Sequence, residues 1–437
     1  MKKSILLALT LISATAFIIY TCSSSGGKSN SLGTVQQQNS GGDLSTNSSA
    51  TKTLLDATSD GGTMTFQNMG DTGWYPSLRD PSVGPCDYYN GTPSCFGTPM
   101  KCCKTKQVFA NDSLSPWNEE LIMSLRGPMI VQQIAVYQPS DPYSAVWQQT
   151  SFWDSKTPAT LTGIVFVGDV KSTTGFDGII GNKCIATVST NKPFPCGPGS
   201  VPYCAASSTT QYYGWSGSKM FVLLAYMPHM SSTDIPAARH CNTTTTDNWY
   251  DAPWIGLSVG ELVRADCAGQ WGPCHCYARD QVNAGAVGDG CGQFNVFEII
   301  NDQGQYANLD VFSSNFFGYP YKGSWGPGCV SCSVAGMDPK VDLISTSTKT
   351  EAVTGAVGAF PTMPGAAFRR PATGYRFIVI LLDVKTRQIQ LAFIHPANVP
   401  STVSAVLPGL PAQIARTTVD AMLTLRLPGP NSVGVIR

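Results

Sequence analysis

The stretch "CGQFNVFEII", residues 291–300, sets three polar side chains, Gln293, Asn295 and Glu298, into an otherwise apolar run. Only Glu298 can exchange a proton under ordinary conditions; the two amides offer hydrogen-bond donors and acceptors without charge. Strand side chains alternate between faces, so Gln293 and Asn295 share a face while Glu298, at an odd offset, falls on the other. One extra residue in the strand would reset the alternation and bring all three onto one concave surface, and such bulges concentrate beside active sites. On alternation alone, the same three residues are ordinary solvent-facing positions.

Other constellations carry less. The segment "CAGQWGPCHC", Cys267 to Cys276 with His275, crowds Cys and His as a zinc site does, but no CxxC pair is followed by another. "CVSC" at 329–332 is a lone CxxC without the βαβ context of a redox motif. The four histidines, His229, His240, His275 and His395, lack metal-like spacing. "GDGCGQ" precedes a strand where a phosphate cradle would open a helix. Neither a metal nor a cofactor is expected.

The elements that must hold these residues read as strands. From about Met123, short β-branched and aromatic runs such as "PMIVQQIAVYQ", "KMFVLLAYMP" and "YRFIVILLD" are punctuated by Gly, Pro, Asn and Asp, and "LDVKTRQIQLAFI" reads as a hairpin. No uncapped amphipathic run of helical length competes with them. Many strands at short spacing predict an all-β fold of two packed antiparallel sheets, a β-sandwich or jelly roll, over residues 125–398. Before it stand a Cys-rich lead-in at 63–124 and a Ser-, Gly- and Asn-rich spacer at 23–62 too polar to offset its ordering entropy. A Pro-rich tail follows at 399–437.

The chain has 437 residues, 42% apolar and 10% aromatic, enough for a sizeable core. Charged residues make up 13% and balance at 28 against 28, so nothing argues for nucleic acid as a partner. Lys2 and Lys3 precede the apolar run "SILLALTLISATAFIIY", the order of an export signal, so residues 1–22 read as a signal peptide or, uncleaved, a membrane anchor. Fifteen cysteines, fourteen without Cys22, suit an oxidising compartment and disulfides. Sequons at Asn47, Asn90, Asn111 and Asn242 would carry glycans in a eukaryotic secretory pathway.

Several segments together resemble the fungal target-of-SBF cell-wall proteins, a glycosyl-hydrolase-like family distantly similar to glycoside hydrolase family 16. "YYGWSGSKMFVLLAYMPH" at 212–229, "DAPWIGL" at 251–257, "CHCYARD" followed by "GCGQFNVFEIIN", and "FRRPATGYRFIVILLD" at 368–383 carry the likeness. It covers roughly residues 125–395 and leaves the Cys-rich lead-in and the tail outside. The resemblance implies a concanavalin- or laminarinase-like jelly roll and a Glu-x-Asp-x-x-Glu catalytic strand. The nucleophile position is Gln293, the helper Asn295, and the general acid/base Glu298.

Retaining hydrolysis needs two carboxyls about 5–5.5 Å apart, and a neutral amide cannot stabilise an oxocarbenium-like transition state. Amides retain the shape and can still hold sugar hydroxyls. The resemblance thus implies an exported or cell-surface protein that recognises β-glucan or a related neutral polysaccharide, with hydrolysis impaired. Trp254 and Trp271, nearest the site-bearing segments, are the candidate stacking platforms, with Trp215 and Trp325 behind them. Two alternatives stand beside this reading: an active hydrolase or transglycosylase using Asp280, Asp289 or Glu261 as substitute carboxylate, and a structural or adhesive surface protein without glycan binding.

Overall fold

The computed structural model describes residues 61–66, 72–77, 86–88, 101–103, 105–110, 114–168, 175–195, 211–241, 251–265, 293–300, 311–316 and 368–425. In chain order the strands begin with β1 (Gly61–Phe66), β2 (Thr72–Ser77), β3 (Cys86–Tyr88), β4 (Lys101–Cys103), β5 (Thr105–Ala110), β6 (Leu121–Arg126) and β7 (Met129–Pro139). They continue with β8 (Val146–Asp154), β9 (Val165–Gly168), β10 (Ile179–Ile180), β11 (Ile185–Ser189), β12 (Pro193–Phe194), β13 (Gln211–Tyr212) and β14 (Lys219–Tyr226). The last are β15 (Trp254–Val259), β16 (Gln293–Ile300), β17 (Val311–Phe316), β18 (Phe368–Arg369), β19 (Arg376–Asp383), β20 (Gln388–Ile394) and β21 (Gln413–Ala415).

Two large antiparallel sheets dominate. The eight-stranded sheet runs β1-β20-β19-β14-β7-β8-β21 with β10 on β7, and the seven-stranded sheet runs β18-β17-β16-β15-β6-β11-β9. The chain is therefore an all-β sandwich. Its main core lies between the sheets: Leu121, Met123 and Leu125 of β6, Ile255 and Leu257 of β15, and Phe294 and Phe297 of β16 meet Val136, Phe221, Leu223, Ile380 and Phe393 from the other sheet. Fully burying each such side chain is worth about 1.5–3 kcal/mol, so the alternation of apolar residues decides which face of each strand turns inward.

At β19 the eight-stranded sheet is buried on both faces. Every residue of β19, "RFIVILLD", is buried, which accounts for a run with no polar alternation. Its outward set, with Phe377, Val379 and Leu381, packs against Val403, Val406, Leu407, Val419 and Met422 from the C-terminal segment. Helix Arg416–Leu423 in that segment is pinned by Arg416, whose guanidinium donates to the fully buried Asp383 carboxylate at 2.7 and 3.2 Å. At the other end of the sequence, β1 forms the sheet's edge by pairing with β20, and Thr63 Oγ1 donates to Leu425 O. Residues at the boundary between spacer and lead-in thus complete the sheet's edge, and residues read as Pro-rich tail cover its outer face.

One disulfide among the described residues, Cys184–Cys241, ties the approach to β11 to the end of a short 3₁₀ turn at Ala237–Arg239. The backbone is tightly stacked there: a Cβ on Gly181 would lie 1.8 Å from Arg239 O.

Candidate functional site

β16 is the third strand of the seven-stranded sheet, between β15 and β17. Its inward side chains fix it: Phe294 lies 5.6 Å from the Trp117 ring, and Phe297 reaches across the sandwich to within 6.1 Å of the Phe393 ring. On both sides its ladder slips by one residue. Against β15, Asn295 pairs with Gly256 but Phe297 with Ile255; against β17, Asn295 pairs with Asn315 and Glu298 with Ser313. The extra residue is Val296, which is buried in the core alongside Phe297. Two consecutive apolar residues turned into the core account for the bulge, and they bring positions 293, 295 and 298 into phase.

The face that carries Gln293 and Asn295 turns away from the inter-sheet core and is unusually polar. Register places Ser258 beside Gln293, Gly256 beside Asn295, and Ser124 and then Thr187 beyond Gly256. Ser124, Thr187, Ser258, Gln293 and Asn295 are all buried. Gln293 Nε2 donates to Asn295 Oδ1 at 2.7 Å. An open groove lined by these amides is not what the fold presents: Gln293 is 4% and Asn295 5% exposed. Burial demands that such groups be hydrogen-bonded, and a neutral amide pair meets that demand without the cost of a buried charge. The side chain of Glu298 and all of Trp271, Trp325, Asp280 and Asp289 lie outside the described residues.

Trp254 belongs to this site by position. It pairs with Glu298 on one side and Arg126 on the other. Its indole folds along the strand over Gly256, where a Cβ would meet Trp254 Cζ2 at 1.9 Å, so only glycine leaves room for the ring. The Arg126 guanidinium lies 5.8 Å from the indole and donates to Ala252 O. Trp254 is 8% exposed, and its buried Nε1–H has no hydrogen-bond partner among the described residues. By contrast Trp215 is a core residue whose Nε1–H donates to Ser151 Oγ.

Sequence reasoning missed an ion-pair node at the Trp254 end of β15. His229 Nδ1 lies 2.9 Å from one oxygen of Asp251, and Arg370 donates to the other at 2.6 Å. The guanidinium also donates to Met227 O, Pro228 O and Asp251 O. Burial by itself pushes the Asp251 carboxyl up, but Arg370 and His229 override it and hold the carboxyl below its ordinary value. The motif segments "MPH", "DAPW" and "RRP" thus converge on one node. Its signal was present in those three motifs, each of which carries a charged or titratable residue: His229, Asp251 and Arg370.

A second ionisable group of residues sits at the opposite end of β15. Arg264, on the short helix Gly260–Ala265, forms a bidentate pair with Glu120, whose Oε1 also accepts from Gly214 N. The buried Lys219 ammonium donates to Glu119 O and Trp215 O. Burial, then the charges of Glu261 and Glu120, raise the Glu119 carboxyl to about 8 against the pull of Lys219. This geometry removes Glu261 as a substitute partner for Glu298. Glu298 pairs with Trp254, and the strand from Trp254 to Val259 alone covers ~17 Å at about 3.3 Å per residue before the helix carrying Glu261 begins. A retaining pair is about 5–5.5 Å apart.

Comparison with known proteins follows the same lines. Residues 63–139 match the family model described as "Cell wall protein YJL171C/Tos1, N-terminal". That match falls mainly on the Cys-rich lead-in, which the motifs of the sandwich had left outside the resemblance. A Candida albicans (strain SC5314) protein, "Probable circularly permuted 1,3-beta-glucanase PGA52", is 25% identical over 266 residues, 54% of this chain and 62% of that relative. The matched region therefore spans less than two thirds of the relative's length. No solved structure matches. The likenesses place the chain outside the cytoplasm, at the cell wall. From its lead-in through its sandwich, the chain resembles the Tos1-type, glycosidase-like cell-wall proteins.

Proposed function

We propose that this chain is an exported cell-wall protein that recognises β-glucan or a related neutral polysaccharide on the polar face of its seven-stranded sheet, with hydrolysis impaired. The observation that carries the reading is the bulge at Val296, which sets positions 293, 295 and 298 in phase beside Trp254. Two of those positions are amides bonded to each other. Glu298 is the surviving acid, Gln293 and Asn295, buried and bonded to each other, keep the shape of the site without a charge that could attack the anomeric carbon, and Trp254 supplies an apolar ring with an unmet donor. The likeness to a probable 1,3-beta-glucanase supports the substrate class. Residues 4–20 act as the export signal or, uncleaved, as a membrane anchor; no helix among the described residues is long and apolar enough to cross a membrane.

The test is hydrolysis and retention on linear β-1,3-glucan with the full chain. The wild type is expected to be retained on the polymer without releasing reducing ends, and Asn295→Ala or Trp254→Ala to lose retention. The double substitution Gln293→Glu with Asn295→Asp restores the carboxylates of the two positions and is expected to gain turnover. Wild-type turnover that disappears in Glu298→Gln would sink the impaired-enzyme reading. Absence of retention on any neutral glucan would leave the structural alternative standing.

A further inference from the structure

A separate cleft of about 500 Å³ opens at the edge of the sandwich, lined by Gln138, Thr150 and Ser151 from one sheet and by segments 190–192 and 213–216 from the other side. No residue of β15 or β16 contributes to its lining. Its size is that of a small-molecule site.

The floor is built rigidly. Val136 pairs with Ser151 and Tyr137 with Gln149, so Thr150 is the extra residue of a second β-bulge, and it lines the cleft. Gly163 backs that bulge in the left-handed region at φ +61°, where a Cβ would lie 2.2 Å from Thr150 O. Trp215 Nε1 donates to Ser151 Oγ at 3.0 Å, and Ser151 Oγ donates to Gly163 O at 2.8 Å. Gln138 Nε2 donates to Ser216 O at 2.7 Å, and Thr150 Oγ1 donates to Gln138 Oε1 at 3.3 Å.

The rim is different. The side chains of Asn191, Ser216 and Tyr213 have no hydrogen-bond partner among the described residues. The Tyr213 ring is 36% exposed and held edge-on against Phe194 at 4.9 Å. Among the described residues no carboxylate lines the cleft, and Lys192 is its one charged residue. A preorganised floor, neutral donors and acceptors at the mouth, and a fixed aromatic ring suit a ligand with many hydroxyls and an apolar ring face. We propose that this cleft is a second binding site, distinct from the β16 face, that takes one or two rings of a neutral saccharide.

The test uses the full chain with glucose and a β-1,3-linked glucose disaccharide as probes, followed by saturation-transfer NMR titration. Saturable binding is expected in the wild type, weakened at least tenfold by Asn191→Trp, which fills the mouth, and by Thr150→Val. Both positions are solvent-exposed, so melting temperatures should match the wild type. In the unmodified chain, saturating disaccharide should shield Tyr213 from nitration. Asn295→Ala should leave this binding unchanged even if it abolishes retention on polymeric glucan, so the two sites fail separately. Binding lost in Asn295→Ala but kept in Asn191→Trp, no shielding of Tyr213, or no saturable wild-type response to either probe would each overturn the proposal.

Discussion

Replacing Asp251 with alanine tests the claim that one buried node ties three motif segments together. The Arg370 side chain is fully buried and Asp251 only 16% exposed, so the substitution strands a guanidinium where water cannot reach it. Breaking a buried pair in this way costs about 3–5 kcal/mol. Arg370 keeps carbonyl acceptors at Met227 and Pro228, which favours the lower end, about 3 kcal/mol. At about 2 °C per kcal/mol for a unit of this size, the melting temperature should fall by ~6 °C. His229 is 42% exposed, so His229→Ala removes an ion pair of surface type and should cost no more than about 1 kcal/mol. The pH dependence has a definite sign. Because the folded Asp251 carboxyl sits below its ordinary value of 3.8, its contribution is complete above that value and is lost as pH falls through the lower folded one. Scanning calorimetry between pH 3 and 7 should therefore show the gap between wild type and Asp251→Ala narrowing at the acid end. An alanine variant that melts with the wild type, or a His229→Ala variant that falls as far, would refute the node as described.

Three further outcomes can be checked together. Glu119 ionises near 8 when folded and near 4.5 when unfolded, so wild-type stability declines as pH rises between those values and levels off above. Thermal melts of Glu119→Gln should accordingly gain on the wild type from pH 5 to 8 and hold that gain at pH 9; a pH-independent difference would contradict the raised value. Gly256→Ala drives a methyl into the Trp254 indole, so about 1–3 kcal/mol of stability and a change in tryptophan fluorescence are expected, with reduced retention on glucan. Cys184→Ser opens a loop closed by a bridge between residues 57 apart and should cost about 4 kcal/mol by chain entropy. Cys241→Ser should match it, and the double variant should add nothing.

What the sequence made legible follows from short-range physics. Runs such as "KMFVLLAYMP" and "QFNVFEII" declare strands because β-branched and aromatic residues dominate them, and the phase mismatch between Asn295 and Glu298 was enough to call for an extra residue before its place was known. The bulge itself sits at Val296, a choice made by tertiary packing of Val296 and Phe297 into one core. The enclosure of Gln293 and Asn295 was not legible, since burial depends on what lies above a strand and not on its own alternation. Nor was the outer layer read from "PANVPSTVSAVLPGLPAQ", where prolines masked Val403, Val406 and Leu407 as packing residues. The unbroken apolar text of β19 did carry that information: a strand polar on neither side must be covered on both. The ion pairs to Asp251 and Asp383 join residues more than 30 positions apart or set on different motifs, and no local pattern links them.

The pairing of β1 with β20 also governs how this protein is made. Gly61 meets Ile394, so the edge of the eight-stranded sheet cannot close until the chain has been synthesised past residue 394. An early strand that waits so long keeps its unsatisfied backbone exposed, and topologies dominated by such distant partners fold slowly and invite association in the meantime. Cys184 and Cys241, only 57 residues apart, are not subject to that delay: their bridge can close as soon as both lie in an oxidising environment.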